Sequence, residues 1–167
     1  LINLVFLSAF ILDAYAFSTE GIVGYSLGKK DLNLFKNIVK NSFILSSISG
    51  LIISIIFFFT YNLVINLMSD INEIRELSSS YAVWLIILPV ISSFCYQFDG
   101  IFIGASQTKE LRNAMIFSVF SYLLISILLI KFLFNTGIWI SLCIFMILRA
   151  VSLFYYLDKI YLRFRKN

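Results

Sequence analysis

Ile38 to Met68 reads IVKNSFILSSISGLIISIIFFFTYNLVINLM, with Lys40 as its single charged residue. A helix needs roughly 20 apolar residues to cross a ~30 Å hydrocarbon core, and this run exceeds that length. Its apolar positions are continuous rather than alternating with a period of two, which argues against a barrel strand. Four further runs of the same character flank it, at approximately 1–28, 77–104, 114–134 and 138–157. The expected fold is therefore an all-α integral membrane protein with five transmembrane helices. The run at 38–68 is overlong, and Lys36 and Lys40 in its first turns belong to the membrane interface. The expected connections are short and polar, at residues 28–31, 69–76, 106–112 and 135–137.

Composition agrees with this reading. Hydrophobic residues make up 60% of the 167-residue chain and charged residues 13%, against about 25% charge in an ordinary soluble domain. The absence of histidine removes imidazole zinc sites, haem ligation and Ser/His or Cys/His catalysis together. No metal site and no cofactor is expected. Cys95 and Cys143 lie inside apolar runs and read as small core residues rather than a disulfide framework. The net charge of +4 could suggest nucleic acid, but its distribution follows membrane topology, and no nucleic-acid partner is expected.

Lysine and arginine accumulate on the cytoplasmic side of short loops. One side of the expected topology receives Lys29, Lys30, Lys36, Lys40, Lys109, Arg112, Lys159, Arg163, Arg165 and Lys166, and the other only Arg75 and Lys131. The first span therefore runs from outside to inside, and residues 158–167 form a basic cytoplasmic tail. An exterior start without an initiator Met or a charged leader suggests the C-terminal part of a longer protein. Lys131 is expected to snorkel to the interface, and Trp84, Trp139 and Tyr161 read as interfacial anchors.

Helices in lipid associate through close backbone approach and interhelical hydrogen bonds. Ser42, Ser46, Gly50 and Ser54 form a four-residue stripe, and the pairs Gly24/Gly28 and Gly100/Gly104 repeat its spacing. All are expected to be helix-packing seams. Pro89 removes one backbone hydrogen bond from the middle of its span, where it makes either a static bend or a hinge.

Charges inside spans are costly unless they face a partner or water. At ~1.5 Å per residue, Glu20, Asp99 and Arg149 lie roughly 9 to 13 Å from the cytoplasmic ends of their spans, at one level. They can form a structural ion-pair lock or a direct ion- or substrate-coupling site. Asp13 lies about 10 Å further out on the same helix face as Glu20 and has no evident cationic partner, so it faces water or carries a proton.

Two stretches go beyond composition. Asp13 to Gly28 reads DAYAFSTEGIVGYSLG, followed by KKD, and Phe98 to Thr108 reads FDGIFIGASQT, followed by Arg112, Asn113 and Ala114. In order and spacing these resemble the second half of multidrug and toxic compound extrusion (MATE) transporters, in their DinF-like branch. The resemblance implies a twelve-helix antiporter of two six-helix lobes, of which residues 1–167 would be the last five helices. It implies export of amphipathic or cationic compounds driven by inward H⁺ or Na⁺, in the bacterial cytoplasmic membrane. The missing N-terminal lobe and the lipid bilayer would be its partners. A lipid-linked saccharide flippase is the alternative transport reading, but it should carry more deep basic residues than Arg149 alone. A membrane enzyme would need an Asp-rich metal motif or a His base, and neither is present. A non-transporting scaffold would account for the seams but not for the four intramembrane charges.

Overall fold

The computed structural model describes residues 1–165, and Lys166, the last of the expected basic-tail cations, lies outside them. Among these residues there are five helices and no strand: α1 (Ile2–Gly28), α2 (Leu32–Met68), α3 (Asn72–Ser80), α4 (Val83–Gly104) and α5 (Thr108–Arg165). Four of them, all but α3, are long and apolar enough to cross a membrane.

Two corners at the basic end are built alike. After Gly28, Lys30 takes φ 56°, its N–H bonds the Leu27 carbonyl at 3.1 Å, and the Asp31 N–H bonds that of Ser26 at 3.1 Å. After Gly104, Ser106 takes φ 54°, and the N–H groups of Ser106 and Gln107 bond Ile103 and Phe102 at 2.8 and 2.9 Å. Both are Schellman turns, which satisfy the last carbonyls of a helix through one left-handed residue. Asp31 then caps α2 by accepting the Leu34 N–H at 2.9 Å. That cap starts α2 six residues earlier than Ile38, so Lys36 and Lys40 lie on continuous helix with exposed side chains.

The expected third span is divided. Residues 72–80 form the separate α3, a turn follows at Tyr81 and Ala82, and the apolar helix begins at Val83. Ser78, Ser79 and Ser80 explain the break, because serine side chains compete for backbone groups; Ser80 Oγ donates to the Leu77 carbonyl at 2.7 Å. Arg75 ties α3 back to the end of α2 through the Asn66 carbonyl (3.1 Å) and Asp70 (3.3 Å).

α5 is a hairpin. The helix starts at Thr108 and is interrupted at Phe134, which takes φ 49°, ψ −128°. The chain folds back there. Tyr122 and Phe145 meet with ring centroids 6.0 Å apart, and Lys159 Nζ reaches Glu110 Oε1 at 3.0 Å. Gly137 is required at this corner, because a Cβ there would lie 2.7 Å from the Leu129 carbonyl carbon. The reversal is thus made by one residue, not by a loop over 135–137. Residues 158–165, expected as a tail, continue the helix. A bulky residue at positive φ is strained by roughly 1–3 kcal/mol. Phe134→Gly is therefore expected to raise the thermal transition of the full-length protein in detergent, and a fall would mean that this backbone is unstrained.

α4 is the central element, with α1, α2 and α5 all packed on it. Near the basic end, Phe35 of α2 packs edge-on to Tyr161 of α5 at 5.5 Å, beside buried Val23, Phe102 and Ile160. At the other end Trp84 and Trp139 stack at 6.4 Å over Leu88 and Cys143. Trp84, Trp139 and Tyr161, the residues expected as interfacial anchors, all take part in these two end clusters. The outward faces of α1, α2 and α5 carry Phe10, Phe17, Phe59, Leu67, Phe120 and Phe132, all well exposed as suits lipid.

Candidate functional site: an acidic pocket between α1, α4 and α5

Small residues set the distance between α1 and α4. A Cβ on Gly100 would collide with the Ala16 carbonyl oxygen and lie 2.9 Å from Ala16 Cα, and one on Gly104 would meet the Glu20 backbone in the same way. Gly24 approaches the Gly104 carbonyl at ordinary van der Waals distance. Gly28 differs: among the described residues a side chain there would meet open space, so its expected packing role has no counterpart. Nearer the start of α4, a Cβ on Gly50 of α2 would lie 2.8 Å from the Pro89 carbonyl oxygen. Ser46 Oγ donates to the Ser93 carbonyl at 3.3 Å, and Ser54 Oγ donates to the Ile86 carbonyl. Ser54 thus bonds the α4 backbone next to Leu85, the residue whose carbonyl Pro89 leaves without its helical donor. Ser42 bonds its own helix at Ile38 instead.

This close approach brings one face of α1 over α4 and leaves a pocket of about 290 Å³ beside the second arm of α5. Asp13 and Glu20 of α1, Tyr96 and Asp99 of α4, and Arg149 of α5 line it. Arg149 Nη2 bonds Asp99 Oδ2 at 2.7 Å, with both side chains largely buried. Asp99 Oδ1 and Arg149 Nε are buried and, among the described residues, unpartnered. Asp13 and Glu20 are half-buried and, among the described residues, make no ion pair.

The depth match read from sequence is realised in the pair, while Glu20 is brought to the same pocket without joining it. Asp13, expected to stand alone further out, shares that pocket. Three carboxylates and one guanidinium leave two negative charges when all are ionised. Such a pocket attracts cations and has lone pairs free to hold one.

Sequence reasoning passed over Tyr96 and Gln97. Gln97 is fully buried, and its amide meets Thr19 Oγ1 at 2.9 Å. An amide inside the apolar run FCYQFDG was the signal available. Also missed was a clamp at the basic end. Arg163 donates to the Ala105 carbonyl at 2.8 Å, and Gln107, in the amide orientation that satisfies both ends, joins Glu110 (2.8 Å) to Arg163 (2.9 Å). The clamp ties the end of α5 to the α4–α5 corner.

The MatE family profile matches residues 1–132, which include Asp13, Glu20 and Asp99 but not Arg149. The chain is 31% identical over 153 residues to DNA damage-inducible protein F of Escherichia coli (strain K12). That match covers 92% of this chain and 33% of the relative, so the chain spans about a third of that protein's length. No solved structure matches it.

Proposed function

Because the chain belongs to the MatE family, we propose that it supplies most of one lobe of a secondary active exporter of toxic amphipathic or cationic compounds, working by antiport against H⁺ or Na⁺. Counting the two arms of α5 as separate crossings gives five spans, which we assign as the eighth to twelfth of twelve. The partners are the lipid bilayer and the N-terminal lobe. The basic end faces the cytoplasm of a bacterial cell, with ten cations against two supporting that orientation.

The observation that carries this reading is the acidic pocket. Arg149 neutralises one of three carboxylates, and the remainder can be neutralised by an inbound proton or Na⁺, or by an outbound organic cation, but not readily by both at once. Mutual exclusion at one site is what antiport requires. The ion drives a conformational change only to the extent that it binds one state of the pocket better than the other. Pro89 is the hinge on which α4 would bend between those states, and the Asp99–Arg149 pair is the contact whose making or breaking would mark them.

The test uses the complete protein in liposomes, with ethidium as cargo and imposed H⁺ or Na⁺ gradients. The variant Asp13→Asn/Glu20→Gln/Asp99→Asn/Arg149→Gln, which removes every charge of the pocket without leaving the guanidinium unpaired and is checked for folding by size-exclusion chromatography, is expected to lose at least tenfold of gradient-driven flux. Wild-type flux in that variant would overturn the assignment.

A further inference from the structure

On the side of α1 opposite the acidic pocket, α1 and α2 enclose a second cavity of about 270 Å³. Its polar lining comes from Tyr15, Ser18 and Thr19 of α1 and Asn37, Asn41 and Ser42 of α2. Among the described residues, no acidic or basic residue lines it. At ~1.5 Å per residue, Asn37 and Asn41 stand about 9 and 15 Å along α2 from Asp31, and Ser18 about 15 Å from Gly28. The polar strip therefore climbs from the basic end to the middle of α1 and about a quarter of the way along α2.

Ser18, Asn37 and Asn41 are exposed where the interfacial level of Lys36 and Lys40 gives way to exposed Ile22, Ile44 and Leu45, so the groove reaches from the headgroup region towards hydrocarbon. Lipid tails cannot bond the polar groups at its inner end. The neighbouring hydroxyls are already engaged: Ser42 donates to the Ile38 carbonyl, Thr19 bonds the Tyr15 carbonyl at 2.8 Å, and Ser49 bonds the Tyr15 hydroxyl at 2.8 Å. Behind Thr19, the buried Gln97 amide nitrogen has no partner. The Asn37 and Asn41 amides, one helical turn apart, each offer two donors and an acceptor.

We propose that this groove is a binding site, distinct from the acidic pocket, for an amphipathic molecule with an uncharged head that carries both donors and acceptors, such as hydroxyl or amide groups. The head lies against Asn37, Asn41 and Ser18, and the tail against Ile22, Leu34 and Leu45. A charged head finds no counter-charge there. The same chemistry is offered by a neutral lipid and by a compound under export.

The complete protein in phosphatidylcholine nanodiscs is photolabelled with an octyl glucoside that carries a diazirine beside the glycosidic oxygen. The matching alkyl trimethylammonium and plain alkane diazirines serve as comparators. The glucoside is expected to label residues 13–22 and 34–45 at least fivefold more than either comparator. Asn37→Leu/Asn41→Leu is expected to reduce that labelling at least fivefold, while Asn113→Leu leaves it unchanged. Competition by added diacylglycerol would assign the site to lipid, and persistence of the label to cargo; each supports the site. Equal labelling by the alkane would make the groove an ordinary lipid surface. Unlabelled segments would mean that another helix of the protein covers them. Either result overturns the proposal using the unmutated protein alone, as would labelling indifferent to a folded double variant.

Discussion

Gly100→Ala is expected to lower the thermal stability of the full-length protein more than alanine at any glycine of α1. The added methyl would collide with the carbonyl oxygen, carbonyl carbon and Cα of Ala16, all backbone atoms of a packed helix. A flexible side chain could turn aside, but a helix backbone must translate as a unit. Overpacking of this kind costs about 1–3 kcal/mol, and leucine at the same position should abolish folded yield. Gly104→Ala meets the Glu20 backbone and should behave alike. The double substitution should cost less than the sum, since both push α1 away in one direction. Gly21→Ala is the control: nothing lies within 4 Å of its would-be Cβ, and removing a mid-helix glycine should stabilise by up to about 1 kcal/mol. The comparison is read as the monodisperse fraction that survives heating in detergent. If Gly100→Ala survives as well as Gly21→Ala, the α1–α4 seam is not as close as described, and the pocket it positions loses its geometric basis.

Much of this arrangement was legible in the chain, for identifiable reasons. Gly28 and Gly104 marked helix ends correctly because each precedes a polar corner, although the left-handed residues there are Lys30 and Ser106, which no glycine rule would choose. The stripe Ser46, Gly50 and Ser54 packs as its spacing implied, because only small residues let α2 reach the α4 backbone. Boundaries set by single caps were harder. Asp31 extends α2 backward, and three serines cut α3 from α4. Depth arithmetic found partners for Asp99 but missed that Asp13 shares their pocket. A difference of two helical turns along α1 does not separate residues on the same face when the groove runs along the helix. Tyr96 and Gln97 went unread because neutral polar residues raise no alarm in an apolar run, even though a buried amide needs partners as a charge does.

The pair Asp99–Arg149 allows structure and coupling to be separated in one experiment. Asp99→Asn leaves a guanidinium in a largely buried position with its counter-ion gone, and Arg149→Gln leaves a carboxylate likewise. Breaking a buried pair from either side costs about 3–5 kcal/mol, so each single variant is expected to be strongly destabilised. The double variant Asp99→Asn/Arg149→Gln keeps a polar hydrogen-bonding group at both positions without charge, and is expected to regain most of that stability. Replacing a whole buried pair by neutral groups is often close to neutral. A lock whose only task is to hold α4 to α5 would regain flux along with stability. A pocket that couples ion to cargo through the free oxygen of Asp99 would not, because the neutral amide takes up no proton and offers a cation no negative charge. The expected outcome is a folded double variant with gradient-driven flux still reduced at least tenfold. Recovery of both would reduce the pair to a structural lock and leave Asp13 and Glu20 as the remaining acidic groups of the pocket able to carry coupling.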